Sequence, residues 1–236
     1  TPSRISPLVT TTILPAPPGA HGADAEGAER RATWLELFFD LVFAAAVGAV
    51  GSALSTSYGL EALGQFAFLF FLIWWAWAGH TFFATRFDTD DVWDRLLTVG
   101  QMFAVAVMAA NTETNLASRE AAGFAAAYAA MRLLLCVQYL RVPSGAPGRL
   151  LARRYAAGIG VASVLWLASS IAPAPGRYVL WAAALLLDVL TPLLAERRTG
   201  RDHPPDRAHL PERFGLFTLI FLGEFVVATM AGMRMQ

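Results

Sequence analysis

The sequence contains no lysine, and all eighteen of its basic residues are arginine. A Schiff-base linkage to retinal or to pyridoxal phosphate needs a lysine amine, so both chemistries are excluded. Cysteine is nearly absent: Cys136 stands alone in an apolar stretch, which rules out an intrachain disulfide and supplies no thiol motif. Charged residues make up only 15% of the chain and cancel to a net charge of zero, and membrane topology accounts for the arginines, so no nucleic-acid partner is expected. There is no Gly-rich phosphate loop, haem-attachment motif or Gly-x-Ser-x-Gly elbow, and with them go the common soluble-enzyme readings.

What is present is apolar. Hydrophobic residues form 56% of the chain and the mean hydropathy is +0.48, too high for an ordinary soluble domain of this length. Stretches of about 20 apolar residues suit the thickness of a bilayer. They predict seven spans, over 33–57, 61–84, 92–112, 117–140, 150–172, 176–195 and 212–233. The expected fold is an all-α polytopic membrane helix bundle of about seven transmembrane helices. Residues 1–32 read as a flexible cytoplasmic tail, and no span resembles a cleavable signal peptide. Residues 33–236 form the transmembrane domain, with 196–211, rich in charge and proline, as a cytoplasmic loop. Fourteen arginines lie in the tail or beside the loops that follow even-numbered spans, against Arg119, Arg177 and Arg234 on the other side. The positive-inside rule then predicts a cytoplasmic N-terminus and a multi-pass protein of the plasma membrane.

A charge at the bilayer centre costs about 2.5–3.5 kcal/mol, so each ionisable residue within a span should face the bundle interior and be partnered there. At 1.5 Å per residue, Asp40 lies ~10 Å from Thr33, Arg132 ~12 Å from Leu140, Asp188 ~10 Å from Ala195 and Glu224 ~17 Å from Glu212. With Glu36, His80 and Gln101 they fall in one half of the membrane, and they are expected to line one inward-open polar chamber in which Asp40 and Arg132 can meet. Four carboxylates against one permanent cation would favour protonation or cation binding. The bland alternatives are a helix-start role for Glu36 and an Asp40–Arg132 bridge that only orders the bundle. Pro192 removes the helical donor from the Asp188 carbonyl, and Ala44, Gly48 and Ser52 form a small-residue stripe that admits another helix. Tyr128, Arg132, Cys136 and Tyr139 share a helix face suited either to a cavity or to aromatic packing. Asp88, Asp90 and Asp91 offer hard oxygen ligands, so a divalent cation is the one cofactor considered, although acids at a helix start also serve as caps.

Four segments, "LELFFDLVFAAAVGAV", "WWAWAGHTFFATRFDTDDVWDRL", "YAAMRLLLCVQYLR" and "HLPERFGLFTLIFLGE", resemble the bacterial low temperature requirement protein A family in this order. The resemblance implies a bacterial multipass membrane protein and brings no settled reaction with it. Members usually continue beyond the last segment, so the chain is expected to be a shortened member or a fragment. "ELFFDLVF" and "ERFGLFTLIF" are also similar to each other, as the openings of two repeats would be. The leading expectation is a proton- or cation-coupled transporter or channel. A membrane-embedded enzyme acting on a lipid or isoprenoid and a noncatalytic scaffold are the alternatives. Expected partners are the bilayer, a small ion or small molecule, and further copies of the chain.

Overall fold

The computed structural model describes residues 33–54, 59–87, 91–112, 120–199 and 209–234. Among these there are seven helices and no strand: α1 (Trp34–Leu54), α2 (Leu60–Ala84), α3 (Val92–Ala110), α4 (Glu120–Arg141), α5 (Arg149–Ile171), α6 (Gly176–Thr199) and α7 (His209–Arg234). Helices α1 to α6 are long and apolar enough to cross a membrane. The 26 residues of α7 reach ~39 Å at 1.5 Å per residue. The protein is a polytopic helical membrane protein. At both ends of the stretch 196–211, expected as a loop, the chain is helical: α6 continues through Pro192 to Thr199 and α7 begins at His209.

Local chemistry explains where the helices begin. Thr33 and Glu36 form a reciprocal capping box, the Thr33 amide donating to Glu36 Oε2 at 2.7 Å and the Glu36 amide donating to Thr33 Oγ1 at 3.3 Å. Asp91 caps α3 by accepting from the Asp94 amide at 2.6 Å. Pro211 lies in the first turn of α7, where no intrahelical donor is lost.

Packing follows sequence order, with α3 on α4, α4 on α5 and α5 on α6, while α1 touches α2, α3 and α7. The most enclosed helix is α4, with 61% of its span buried against 28–44% for the other five. Asp40 lies near the start of α1 and Arg213 near the start of α7, and Gly48 faces Glu224 further along both, so α1 and α7 run parallel. The small-residue stripe on α1 thus admits α7. Large apolar side chains such as Phe103, Val161 and Leu219 face outward, an arrangement suited to lipid and costly in water.

Candidate functional site

The first cluster of buried charge joins α1, α2 and α7. Asp40, one turn after Glu36, accepts from Arg213 Nη2 and from Trp77 Nε1, both at 2.7 Å and both through Oδ1. Arg213 Nη1 lies 3.8 Å from Glu36 Oε1, so one guanidinium stands between two carboxylates. The Trp77 ring stacks on Phe217 with centroids 4.2 Å apart and meets Phe214 edge-on at 4.8 Å. An arginine this deeply buried needs its acids: removing one partner of such a pair costs about 3–5 kcal/mol.

Beside this cluster a seam of polar side chains runs inward from the first turn of α3. Gln138 Nε2 donates to Asp94 Oδ1 at 2.8 Å and to Thr98 Oγ1 at 3.1 Å. Its Oε1 accepts from Gln101 Nε2 at 2.6 Å. His80 lies stacked on Phe39 with centroids 4.2 Å apart, and its polar neighbours are Gln101, Gln138 and Arg213. Gln101 Oε1, His80 Nδ1 and Thr81 Oγ1 are buried without a hydrogen-bond partner.

The second cluster joins α4 and α6. Arg132 Nη2 donates to Asp188 Oδ1 at 2.6 Å, and the Tyr128 hydroxyl donates to Asp188 Oδ2 at 3.3 Å. Both ions are buried. Above them a cavity of about 240 Å³ opens between α2 and α6, floored by α4 and α5. Arg132 and Asp188 form its polar base, with Trp75, Phe82 and Ile159 as apolar walls. Glu196, two turns beyond Asp188, marks its other end and is held by Arg86 Nη2 at 2.7 Å and by the Tyr155 hydroxyl at 3.0 Å. Two glycines make this geometry possible. A Cβ at Gly79 would lie 2.6 Å from Arg132 Nη1, and one at Gly158 would collide with Thr191 Oγ1.

The pairing differs from the expected one. Arg132 meets Asp188, while Asp40 takes Arg213, because α7 rather than α4 lies against the Asp40 face of α1. Two buried arginines therefore oppose the carboxylates where the sequence promised one. Glu224 belongs to neither pair. It is half-buried against Gly48, 3.9 Å from where a Cβ there would stand, and no side chain pairs with it among the described residues. Of the proposed metal ligands, Asp88 and Asp90 lie outside the described residues. Asp91 is engaged as the α3 cap and in an ion pair with Arg141 at 2.6 Å. No group of three metal-ligating side chains occurs among the described residues.

Each segment carrying these clusters lies within residues 31–236, and that whole stretch matches the model of the bacterial low temperature requirement A protein. The chain belongs to this family. It is also 30% identical, over 211 residues, to an uncharacterized protein of Rhizobium meliloti (strain 1021), a match covering 84% of this chain and 50% of the relative. The chain thus spans about half the length of the curated relative it matches. No solved structure matches it. Within the family segments, Trp77 comes from "WWAWAGH" and Arg213 from "HLPERFGLF", the same stretches that carry the resemblance.

Sequence reasoning missed Arg213, Trp77, Gln138 and Gly79. Arg213 was assigned to the cytoplasmic edge on charge alone. Its position five residues into α7 was the available signal, since the helix start at His209 puts it one turn inside.

Proposed function

We propose that this member of the family is a proton- or cation-coupled membrane transporter or channel in which Glu36, Asp40, His80, Gln101, Arg132, Asp188 and Glu224 line or control the ion pathway. The arginine-rich ends face the cytoplasm of a bacterial cell, which sets both buried pairs in the cytoplasmic half of the plasma membrane. Protons or cations reach Asp40 along Asp94, Thr98, Gln138 and Gln101.

The observation that carries this reading is the unsatisfied polar interior beside Asp40. His80 Nδ1, Thr81 Oγ1 and Gln101 Oε1 are buried at membrane depth without partners. Each such group costs several kcal/mol in a lipid-embedded core. A bundle selected only for packing would do as well or better with apolar residues there, since buried polar networks often cost stability relative to hydrophobic replacements. A seam that carries water or ions explains why they stay polar.

The test is flux. The full chain is reconstituted in liposomes with an internal pH dye under imposed proton, K⁺ and Na⁺ gradients. His80→Phe and Glu224→Gln are each expected to reduce the wild-type flux at least tenfold while the protein elutes as a folded species. A wild-type protein that passes none of these ions, or variants that conduct as well as it does, would sink the transport reading and leave the buried charges as devices of packing.

A further inference from the structure

The two ion pairs that border the 240 Å³ cavity differ in which charge is covered. At its base both members are buried: Asp188 is bound by Arg132 and Tyr128, and the unpaired Nε and Nη1 of that arginine lie under neighbouring atoms rather than at the opening. At its other end only the cation is covered. The Arg86 side chain is 3% exposed, whereas that of Glu196 is 44% exposed, so an entering molecule meets the carboxylate and not the guanidinium. Arg86 Nη2 and the Tyr155 hydroxyl both bind Glu196 through Oε1. Among the described residues Oε2 accepts no hydrogen bond.

We infer that this cavity, between α2, α4, α5 and α6, binds an organic ammonium ion with an apolar body. The ammonium donates to Glu196 Oε2, and the body lies against Trp75, Phe82, Tyr139 and Ile159. Three features set that chemistry. A carboxylate only accepts, and Arg86 and Tyr155 occupy one of its two oxygens, so the other selects a donor, and a charged donor more strongly than a neutral one. Glu196 lies in the last turn of α6, where the helix dipole adds to the preference for positive charge. The faces of the aromatic walls also attract a cation, and the Arg86 guanidinium already stands 6.0 Å from the Phe82 centroid. A carboxylate ligand would be repelled by Glu196. The cavity holds about eight waters at ~30 Å³ each, which suits a compact amine. One ion shared by two partners is already present in this protein, where Arg213 stands between Asp40 and Glu36. The inference rests on the transport reading for its purpose, because it names a substrate class, but binding can be measured without transport.

The experiment is equilibrium dialysis of the full chain in phosphatidylcholine nanodiscs, with empty nanodiscs subtracted for partitioning. The probes are the cationic 2-naphthylmethylammonium, the neutral 2-naphthylmethanol and the anionic 2-naphthoate. One saturable site per chain is expected for the ammonium, at least tenfold tighter than for the alcohol, and none for the acid. Ala78→Trp, which places an indole in the cavity and leaves both ion pairs alone, is expected to abolish it. Glu196→Gln keeps a side chain able to accept from Arg86 and Tyr155, and should weaken the ammonium tenfold or more while leaving the alcohol unchanged. Nanodiscs that also contain phosphatidylethanolamine, whose headgroup is a primary ammonium, distinguish the source: competition places the natural amine in the bilayer, and failure to compete places it in the aqueous phase. Absence of saturable ammonium binding, equal binding of ammonium and alcohol, saturable binding of the acid at the same site, or full binding to a folded Ala78→Trp protein would each overturn the assignment. An undiminished preference for the ammonium in a folded Glu196→Gln protein would do so as well. Binding without ion flux would keep the site and remove the transport reading; flux without binding would do the reverse.

Discussion

The α1/α7 cluster and the α4/α6 cluster contain the same chemical unit, an arginine and an aspartate buried within a helix bundle, and differ in what closes them. Around Arg213 the closure is complete: Glu36 supplies a second charge, Trp77 occupies the aspartate oxygen and Phe214 and Phe217 pack on the indole. Around Arg132 one wall is a glycine and the next is empty volume. The bare pair does not tell a packing device from a binding site. Its neighbours do, and in a bilayer the difference is sharpened because no bulk water is present to satisfy what the protein leaves open.

The most direct way to break this comparison is to remove each arginine in turn. Arg213→Met takes the counter-charge from the buried Asp40 and should cost about 3–5 kcal/mol, the range for stripping a partner from a buried pair. Arg132→Met leaves Asp188 beside a cavity that water can enter, so its cost should be smaller. Equilibrium unfolding in mixed micelles measures both. If Arg132→Met proves the more damaging, the α4/α6 pair is the tighter structural element and the contrast between the clusters fails.

A second pair of variants compares the neutral donors. Trp77→Phe removes a 2.7 Å bond to Asp40 and should cost about 1.5–3 kcal/mol, the range for a hydrogen bond to a charged group. Tyr128→Phe removes a 3.3 Å bond to Asp188 and should cost nearer ~1 kcal/mol, because at that length the bond is close to its limit. Equal losses in the same unfolding assay would mean that the aspartates are held equally firmly. Gly79→Ala follows in size. Its new Cβ would lie 2.6 Å from Nη1 at the end of a flexible side chain, so the guanidinium moves at a cost of about 1 kcal/mol, the low end for overpacking.

How much of this was legible in the sequence depends on the kind of information each feature needs. The helices were readable because a bilayer demands about 20 apolar residues in a row, whatever their neighbours. The observed α2, α3 and α5 begin within a residue of the expected spans. Position along each helix was readable too, since 1.5 Å per residue fixes it along one axis. Partnership was not. Asp40 and Arg132 match in expected depth, yet pairing depends on which helices adjoin and on rotation about each axis, and those are set by packing across the bundle. Arg213 was hidden by a correct rule: the positive-inside bias explains any arginine near a span end, including one that turns inward. The capping box at Thr33 was written in plain sequence as Thr-x-x-Glu and agrees with the helix-start role weighed for Glu36, although the Thr33 partner was not named from sequence.

The smallest effect concerns that same residue, which serves α1 twice. Glu36 caps the helix through Thr33, and it also stands 3.8 Å from Arg213 Nη1. Two substitutions separate the roles. Thr33→Ala weakens the box but keeps the charge, and should cost about 1 kcal/mol, as loss of an N-terminal cap usually does. Glu36→Gln keeps a side chain able to complete the box and removes the second carboxylate from the guanidinium. If the cap is the main role, Thr33→Ala lowers stability and Glu36→Gln leaves it nearly unchanged. If the charge near Arg213 is the main role, the order reverses.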